Sequence, residues 1–374
     1  MGKISILKIF GIDAPFIFVL LLINSSLVAI MLVLMRLNLL TVCSSSLAML
    51  LPLIPFLFPV VRMFLLEPSG IILGEGFSIA LFMISMLLMP LAIKDKSLKC
   101  SMLSGVTLAL AAYFRSQFEL IVSVLTLMAI LCGVAYLLFF KTRMNKVDQL
   151  YMAGVIKRIA IILLITNAVM MPWRIHNLYE PSTGNLSWVQ TQTLVFTNAG
   201  RTDNDLIENG GGWIVKGGGN IACKLERNYC GKSDKTEFYK TFIRHPIDWA
   251  MYKYNILPNY WFSSLQNWTS ADTPATTIDK MINSVILFFC VANIFLLIRM
   301  RRHHDFPIYF WQCFSFYSCS FIIFILVHFE VRYFYSLKIY VIFMFLLFFP
   351  NACRCSRPMI NSLQSKQIAW FRYE

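Results

Sequence analysis

Charge is what this chain has least of. Only 14% of its 374 residues are Asp, Glu, Lys or Arg, against 58% that are hydrophobic, and the mean hydropathy is +0.66. A soluble domain of this length needs a mixed, charged surface, and there is too little charge to make one. The charge present is unequal in sign, 33 Lys and Arg against 19 Asp and Glu, for a net +14. In a soluble protein that excess would point to nucleic acid. In this chain the cations fall in short connections between apolar blocks, where they orient helices, so no nucleic-acid partner is expected. Ten cysteines contain no C-x-x-C pair, which removes the commonest zinc pattern. The close pair Cys353 and Cys355 near the C-terminus reads as free or acylated thiols. No cleavable leader is evident, because the first apolar block, Ala14 to Met35, is long enough to span a bilayer.

What is abundant is long apolar runs. They predict an all-α polytopic membrane protein of about nine transmembrane helices, at 14–35, 39–61, 77–94, 101–115, 117–140, 157–173, 281–298, 307–328 and 335–351. The fourth and sixth are short, and Arg115, Lys157 and Arg158 can snorkel to the interface. The chain then divides into N-terminal spans (1–173), a periplasmic mixed α/loop segment between helices six and seven (174–280), C-terminal spans (281–351) and a cytoplasmic tail (352–374). Lys94, Lys96 and Lys99 share one connection; Lys141, Arg143, Lys146, Lys157 and Arg158 share another; Arg299, Arg301 and Arg302 a third; Arg354, Arg357, Lys366 and Arg372 follow the last span. With nine spans all four groups fall on one side, which the positive-inside rule assigns to the cytoplasm of an inner (plasma) membrane. Lys3 and Lys8 are discordant, since the N-terminus would lie outside.

Segment 174–280 is near neutral and holds "ENGGGWIVKGGGN", whose glycines read as a flexible surface loop, because no strand–Gly–helix unit surrounds them to cradle a phosphate. Cys223 and Cys230 follow at C-x6-C spacing and would form a disulfide in an oxidising compartment.

The outer ends of the spans carry the chemistry. "MMPWRIHNLYEP" ends the sixth with Trp173 at the interface and Arg174 and His176 at headgroup level, with Pro172 ending or kinking the helix. "AYFRSQFEL" puts Arg115 and Glu119 in a very tight connection; "VHFEVRYFYSLK" gathers His328, Glu330, Arg332 and Tyr333; "VRMFLLEPSGIILGEGF" supplies Arg62, Glu67 and Glu75 on an outer loop. Ionisable groups near hydrocarbon are costly unless paired or functional. A guanidinium forks onto phosphate oxygens and stays charged, and a carboxylate beside it can take a proton from a hydroxyl. These groups therefore fit transfer of a group from a lipid phosphate carrier to a hydroxyl.

"LSGVTLALAAYFRSQF", "MMPWRIHNLYE", "FYKTFIRHPIDWAMYKYNILPNYWF" and "HFEVRYFYSLKIY" stand in the order seen in GT-C glycosyltransferases, the bacterial relatives of protein mannosyltransferases and of the lipid A aminoarabinose transferase, and the chain resembles that family over about residues 39 to 350. The resemblance implies an active site on the periplasmic face, a polyprenyl-phosphate-linked sugar donor, inversion at the anomeric carbon, and a glycan, lipid or protein hydroxyl as acceptor. It places Arg115, Arg174, His176, Glu330, Arg332 and Tyr333 at substrate-binding positions, together with Lys253 and His245 from a helix at the membrane surface. No cofactor is required by this reading; a divalent cation is compatible with it, and no ligand cluster in the sequence demands a metal. The family carries one further span at its start and an acidic catalytic residue on the loop after it. In this chain either Asp13, Glu67 or Glu75 takes that place as the base, or the N-terminus is truncated. Two other readings stay open: an O-antigen polymerase or ligase, which shares helices, loop and donor type, and a non-enzymatic transporter of lipid-linked glycans. The transporter predicts broken helices and charges inside spans, for which Pro52, Pro55 and Pro59 are the hint.

Overall fold

The computed structural model describes residues 14–67, 74–140, 146–179, 225, 240, 242–264, 275–300, 306–326 and 331–370, with the backbone alone for some, including Arg332, Tyr333 and 354–370. The helices are α1 (Ala14–Leu40), α2 (Ser45–Leu50), α3 (Pro59–Leu65), α4 (Glu75–Lys94), α5 (Leu98–Phe114), α6 (Ser116–Ala135), α7 (Lys146–Tyr179), α8 (Pro246–Trp261), α9 (Thr277–Arg299), α10 (Phe306–Leu326) and α11 (Val331–Trp370). No strand occurs among the described residues. Among the described residues six helices are long and apolar enough to cross a membrane: Phe18–Leu40, Glu75–Lys94, Phe118–Phe139, Gln149–His176, Thr277–Arg299 and Phe334–Cys353. The molecule is thus an all-helical, multi-pass membrane protein. Its outward faces fit that solvent, with Phe18, Leu22, Leu131, Leu164, Phe288 and Phe295 all largely exposed on helices of spanning length.

α4 is the axis. Its sequence, "EGFSIALFMISMLLMPLAIK", is apolar on every side, and a helix apolar all round is buried all round. α1, α5 and α7 pack on it, and α10 and α11 complete the surround. Because lipid is as apolar as leucine, such helices associate through close packing and polar links. Ser85 and Ser104 each donate to the other's backbone carbonyl, at 2.8 and 3.1 Å, joining α4 to α5. Asn38 Nδ2 reaches Leu87 O, Gln312 Nε2 reaches Met86 O and Asn293 Nδ2 reaches Val341 O, at 3.0 to 3.1 Å, linking α1 and α10 to α4 and α9 to α11. Gly105 lets α5 touch α7 at the backbone: a Cβ there would stand 2.7 Å from Ile162 O and 2.9 Å from Ile165 Cβ.

Three expectations need correction. The second span, 39–61, is not one helix. α2 runs into a 3₁₀ segment, Leu51–Leu57, and α3 leaves it at 90°. Pro52, Pro55 and Pro59 remove amide donors there. Arg62, expected to contribute to an outer site, instead donates Nη1 to Phe56 O (2.9 Å) and Leu57 O (3.1 Å), the carbonyls exposed by the break. The sixth span, expected at 157–173, belongs to a longer helix: α7 starts at Lys146 and continues through Pro172 to Tyr179, so Pro172 does not end it. Glu75 is not on a loop but is the first residue of α4, and it is buried.

The up-and-down order fixes which ends meet. α4, α6, α9 and α11 begin, and α5, α7 and α10 finish, at one end of the bundle. Lys94, Lys96, Arg158 and Arg299 lie at the other, where Arg158 donates to Lys96 O.

Candidate functional site

Two carboxylate–guanidinium pairs stand at the first of these ends. Gly74 precedes α4 with φ of +74°, a left-handed turn that glycine adopts freely, and it brings the chain against Phe114 O. The rings of Phe77 and Phe114 stack at 5.2 Å, which aligns the start of α4 with the finish of α5. Arg115 alone joins α5 to α6, in an extended conformation, and its Nη2 pairs with Glu75 Oε1. One helical turn on, Glu119 lies in the first turn of α6 and is buried. Both carboxylates thus occupy helix N-termini, where the peptide dipoles favour negative charge.

Arg174, near the finish of α7, completes the group. Its Nε is 3.5 Å from Glu119 Oε1, and its Nη1 donates to Asn167 Oδ1 at 2.8 Å. Asn167 lies two turns back on the same helix, so the guanidinium folds along α7 and across to α6. Tyr113 fixes the register of α5 against α7 by donating to Val169 O at 2.7 Å, and its ring meets Trp173 edge-on at 6.1 Å. His176 lies 5.8 Å from Trp173, ring to ring, and is exposed.

A second polar group lies where α8 meets α9, α10 and α11. Lys338, inside the apolar window of α11, is fully buried; its Nζ donates to Trp261 O at 2.7 Å and lies over the rings of Trp261 and Tyr335. Tyr335 Oη donates to Ser264 O at 2.6 Å, and Trp261 Nε1 donates to Asn283 O at 3.1 Å. Asp279, buried in the first turn of α9, forms a capping box with Thr276. Lys253 on α8 faces inward over the Phe324 ring at 5.5 Å; burial pushes its pKa down to about 8. α10 spans both groups: Cys319 Sγ approaches Leu120 O, next to Glu119, and Phe324 is five residues on, about one and a half turns.

Of the residues singled out in the sequence, the structure brings Glu75 and Arg115 together and sets Arg174 beside Glu119. Lys253 is buried at the second group, and His245, preceding α8, lies with Nδ1 3.6 Å from Asp248 Oδ2. Glu67 follows α3, its N–H donating to Arg62 O. Asp13, Cys223, Cys230 and Glu330 lie outside the described residues, as do the side chains of Arg332 and Tyr333. Sequence reasoning named Glu119 only as a neighbour of Arg115 and missed Asn167, Lys338 and Asp279. The available signals were the i, i+4 spacing of Arg115 and Glu119 and a lysine inside "RYFYSLKIYVIFMF". Among the described residues no three His, Cys, Asp or Glu side chains gather as a metal would require. Comparison with family models, with curated proteins and with solved structures finds no match to this chain.

Proposed function

We propose that the protein is a membrane glycosyltransferase that moves a sugar, with inversion, from a polyprenyl-phosphate donor to a hydroxyl on a glycan, lipid or protein. One observation carries this reading: two arginine–carboxylate pairs, drawn from α4, the α5–α6 connection, α6 and α7, gather at a single end of the bundle. Guanidinium groups at that depth match a phosphate head, and carboxylates within reach of them match an attacking hydroxyl. The motifs that resemble GT-C enzymes carry Arg115 and Arg174, two of these four residues. The opposite end, with Lys94, Lys96, Lys157, Arg158 and Arg299, faces the cytoplasm by the positive-inside rule, so the pairs face the periplasm. There the leaving phosphate would be neutralised by arginine as the sugar departs.

The test is sugar release from a panel of polyprenyl-phosphate sugars by the full chain in proteoliposomes. Turnover by the wild-type protein, cut about a hundredfold in Arg174→Met, is the expected result. Absence of turnover with every donor sinks the reading. Transfer of whole oligosaccharides instead of single sugars would select the polymerase or ligase.

A lipid-linked glycan transporter has its own observations in favour: the 90° break between α2 and α3 and a lysine, Lys338, wholly buried inside a span window. In the same proteoliposomes a transporter moves labelled donor across the bilayer without cleaving it.

A further inference from the structure

The two ion pairs differ in how much of the arginine is already used. Arg115 is set directly on Glu75; Arg115 is the single residue between α5 and α6, and Glu75 follows Gly74 at the start of α4. Arg174 meets Glu119 only through Nε, at 3.5 Å, longer than the roughly 2.7–2.9 Å of a good charge-assisted hydrogen bond. Its Nη1 is held by Asn167, and among the described residues its Nη2 has no acceptor. Exposure does not separate the pairs, since Arg174 keeps 17% of its side-chain surface accessible and Arg115 19%, with Glu119 at 5% and Glu75 at 3%; the contrast lies in the bonds each guanidinium makes. Arg174 is therefore a guanidinium with an open edge, balanced by a carboxylate it holds weakly.

An incoming phosphate would offer Arg174 a bidentate partner that Glu119 is not. The two anions cannot both stay close: like charges in a site shielded from water repel strongly. Arrival of the phosphate releases Glu119 from Arg174 at the moment the sugar beside that phosphate is ready to be attacked. We infer that Glu119 is the general base of the transfer, held in reserve by Arg174 until the donor phosphate takes that guanidinium. The inference rests on the glycosyl-transfer reading above and identifies its base. In the step, the acceptor hydroxyl gives its proton to the Glu119 carboxylate as its oxygen bonds to the anomeric carbon. The anomeric C–O bond to phosphate breaks, and its electron pair leaves on the phosphate oxygen, neutralised by Arg174. Glu119 then passes the proton to the released phosphate or to water, and its carboxylate returns to Arg174. Arg115, four residues from Glu119, stays on Glu75 throughout, and Asn167 keeps Arg174 aimed.

Two measurements on the full chain in nanodiscs test this: binding of polyprenyl monophosphate without a sugar, and transfer from a glycosylated donor. Glu119→Gln is expected to bind polyprenyl monophosphate at least as tightly as wild type, because the competing anion is gone, while transfer falls by roughly 10²–10⁴-fold. Glu119→Asp, which keeps the charge but draws it back by one methylene, should bind similarly and transfer at an intermediate rate; it also serves if the Gln variant does not fold. Transfer by Glu119→Gln within threefold of wild type, weaker binding by it, or Glu119→Asp no better than Glu119→Gln would overturn the assignment and leave the glycosyltransferase standing. A wild-type protein that neither binds polyprenyl monophosphate nor transfers a sugar removes the enzyme reading, and the base with it.

Discussion

Glu75–Arg115 and Glu119–Arg174 are the same chemistry at the same end of one bundle, yet they are built differently. In the first, Arg115 is the whole connection between α5 and α6, and Glu75 follows the left-handed turn at Gly74. The pair is direct and ties α4 to the α5–α6 corner. In the second, Arg174 sits five residues before the finish of a 34-residue helix and divides its donors between Asn167 and Glu119. That pair is looser and keeps an edge open. The difference lies in geometry rather than residue type, and on the inference above it separates a structural ion pair from one that exchanges partners.

The largest contrast is in stability. Removing one member of the closed pair, by Glu75→Gln or Arg115→Met, takes the paired charge from the other and should destabilise the protein by about 3 kcal/mol or more. Unfolding in mild detergent measures this, and Glu75→Arg with Arg115→Glu together should recover part of the loss. An effect no larger than that of Arg174→Met would erase the distinction. Next is activity: Arg174→Met should destabilise the protein less than either change in the closed pair, because Arg174 meets Glu119 only at 3.5 Å, yet cut transfer about a hundredfold. A variant that is destabilised and still active would invert the assignment of the two pairs.

Lys253 offers a buried cation over the Phe324 ring. Its pKa falls to about 8 on burial, from an ordinary 10.5. At pH 7 both folded and unfolded chains hold the proton and the folded state bears the burial penalty. Between pH 8 and 10.5 the folded lysine has lost its proton while the unfolded one keeps it, so stability should rise with pH across that window. The gain from pH 7 to 9 is on the order of 1 kcal/mol, and Lys253→Met should abolish it. Equal pH profiles for the two proteins would show that Lys253 is charged where it lies. The smallest effect is expected of Asn167→Ala, which unties Arg174 without removing it: a several-fold loss of transfer and under about 1 kcal/mol of stability. No loss of transfer would mean that Glu119 alone aims the guanidinium.

The helix positions were legible because a bilayer demands about 20 apolar residues per crossing and leaves a strong compositional mark. The break at 51–59 was hinted at by its prolines, yet its 90° bend and the recruitment of Arg62 to the freed carbonyls were not, since a bend angle depends on what packs around it. At the site, the sequence brought Arg115 and Glu119 within one turn and placed Arg174 and Glu75 at span ends. It could not pair them, because Glu75 with Arg115 and Glu119 with Arg174 are separated by 40 and 55 positions along the chain. Lys338 was hidden for the opposite reason: a lysine near a span end is ordinarily free to snorkel, and only the placement of Trp261 and Tyr335 buries this one.

The sequence by itself determined that the chain is helical, membrane-embedded and sparing with charge, because those properties follow from local composition and the uniform apolar solvent it must match. The tertiary structure alone decided which carboxylate faces which guanidinium, and how firmly. That outcome depends on ångström-scale register between helices, set by Gly74, Gly105 and the Tyr113 bond, and no local pattern of residues encodes a distance across the bundle.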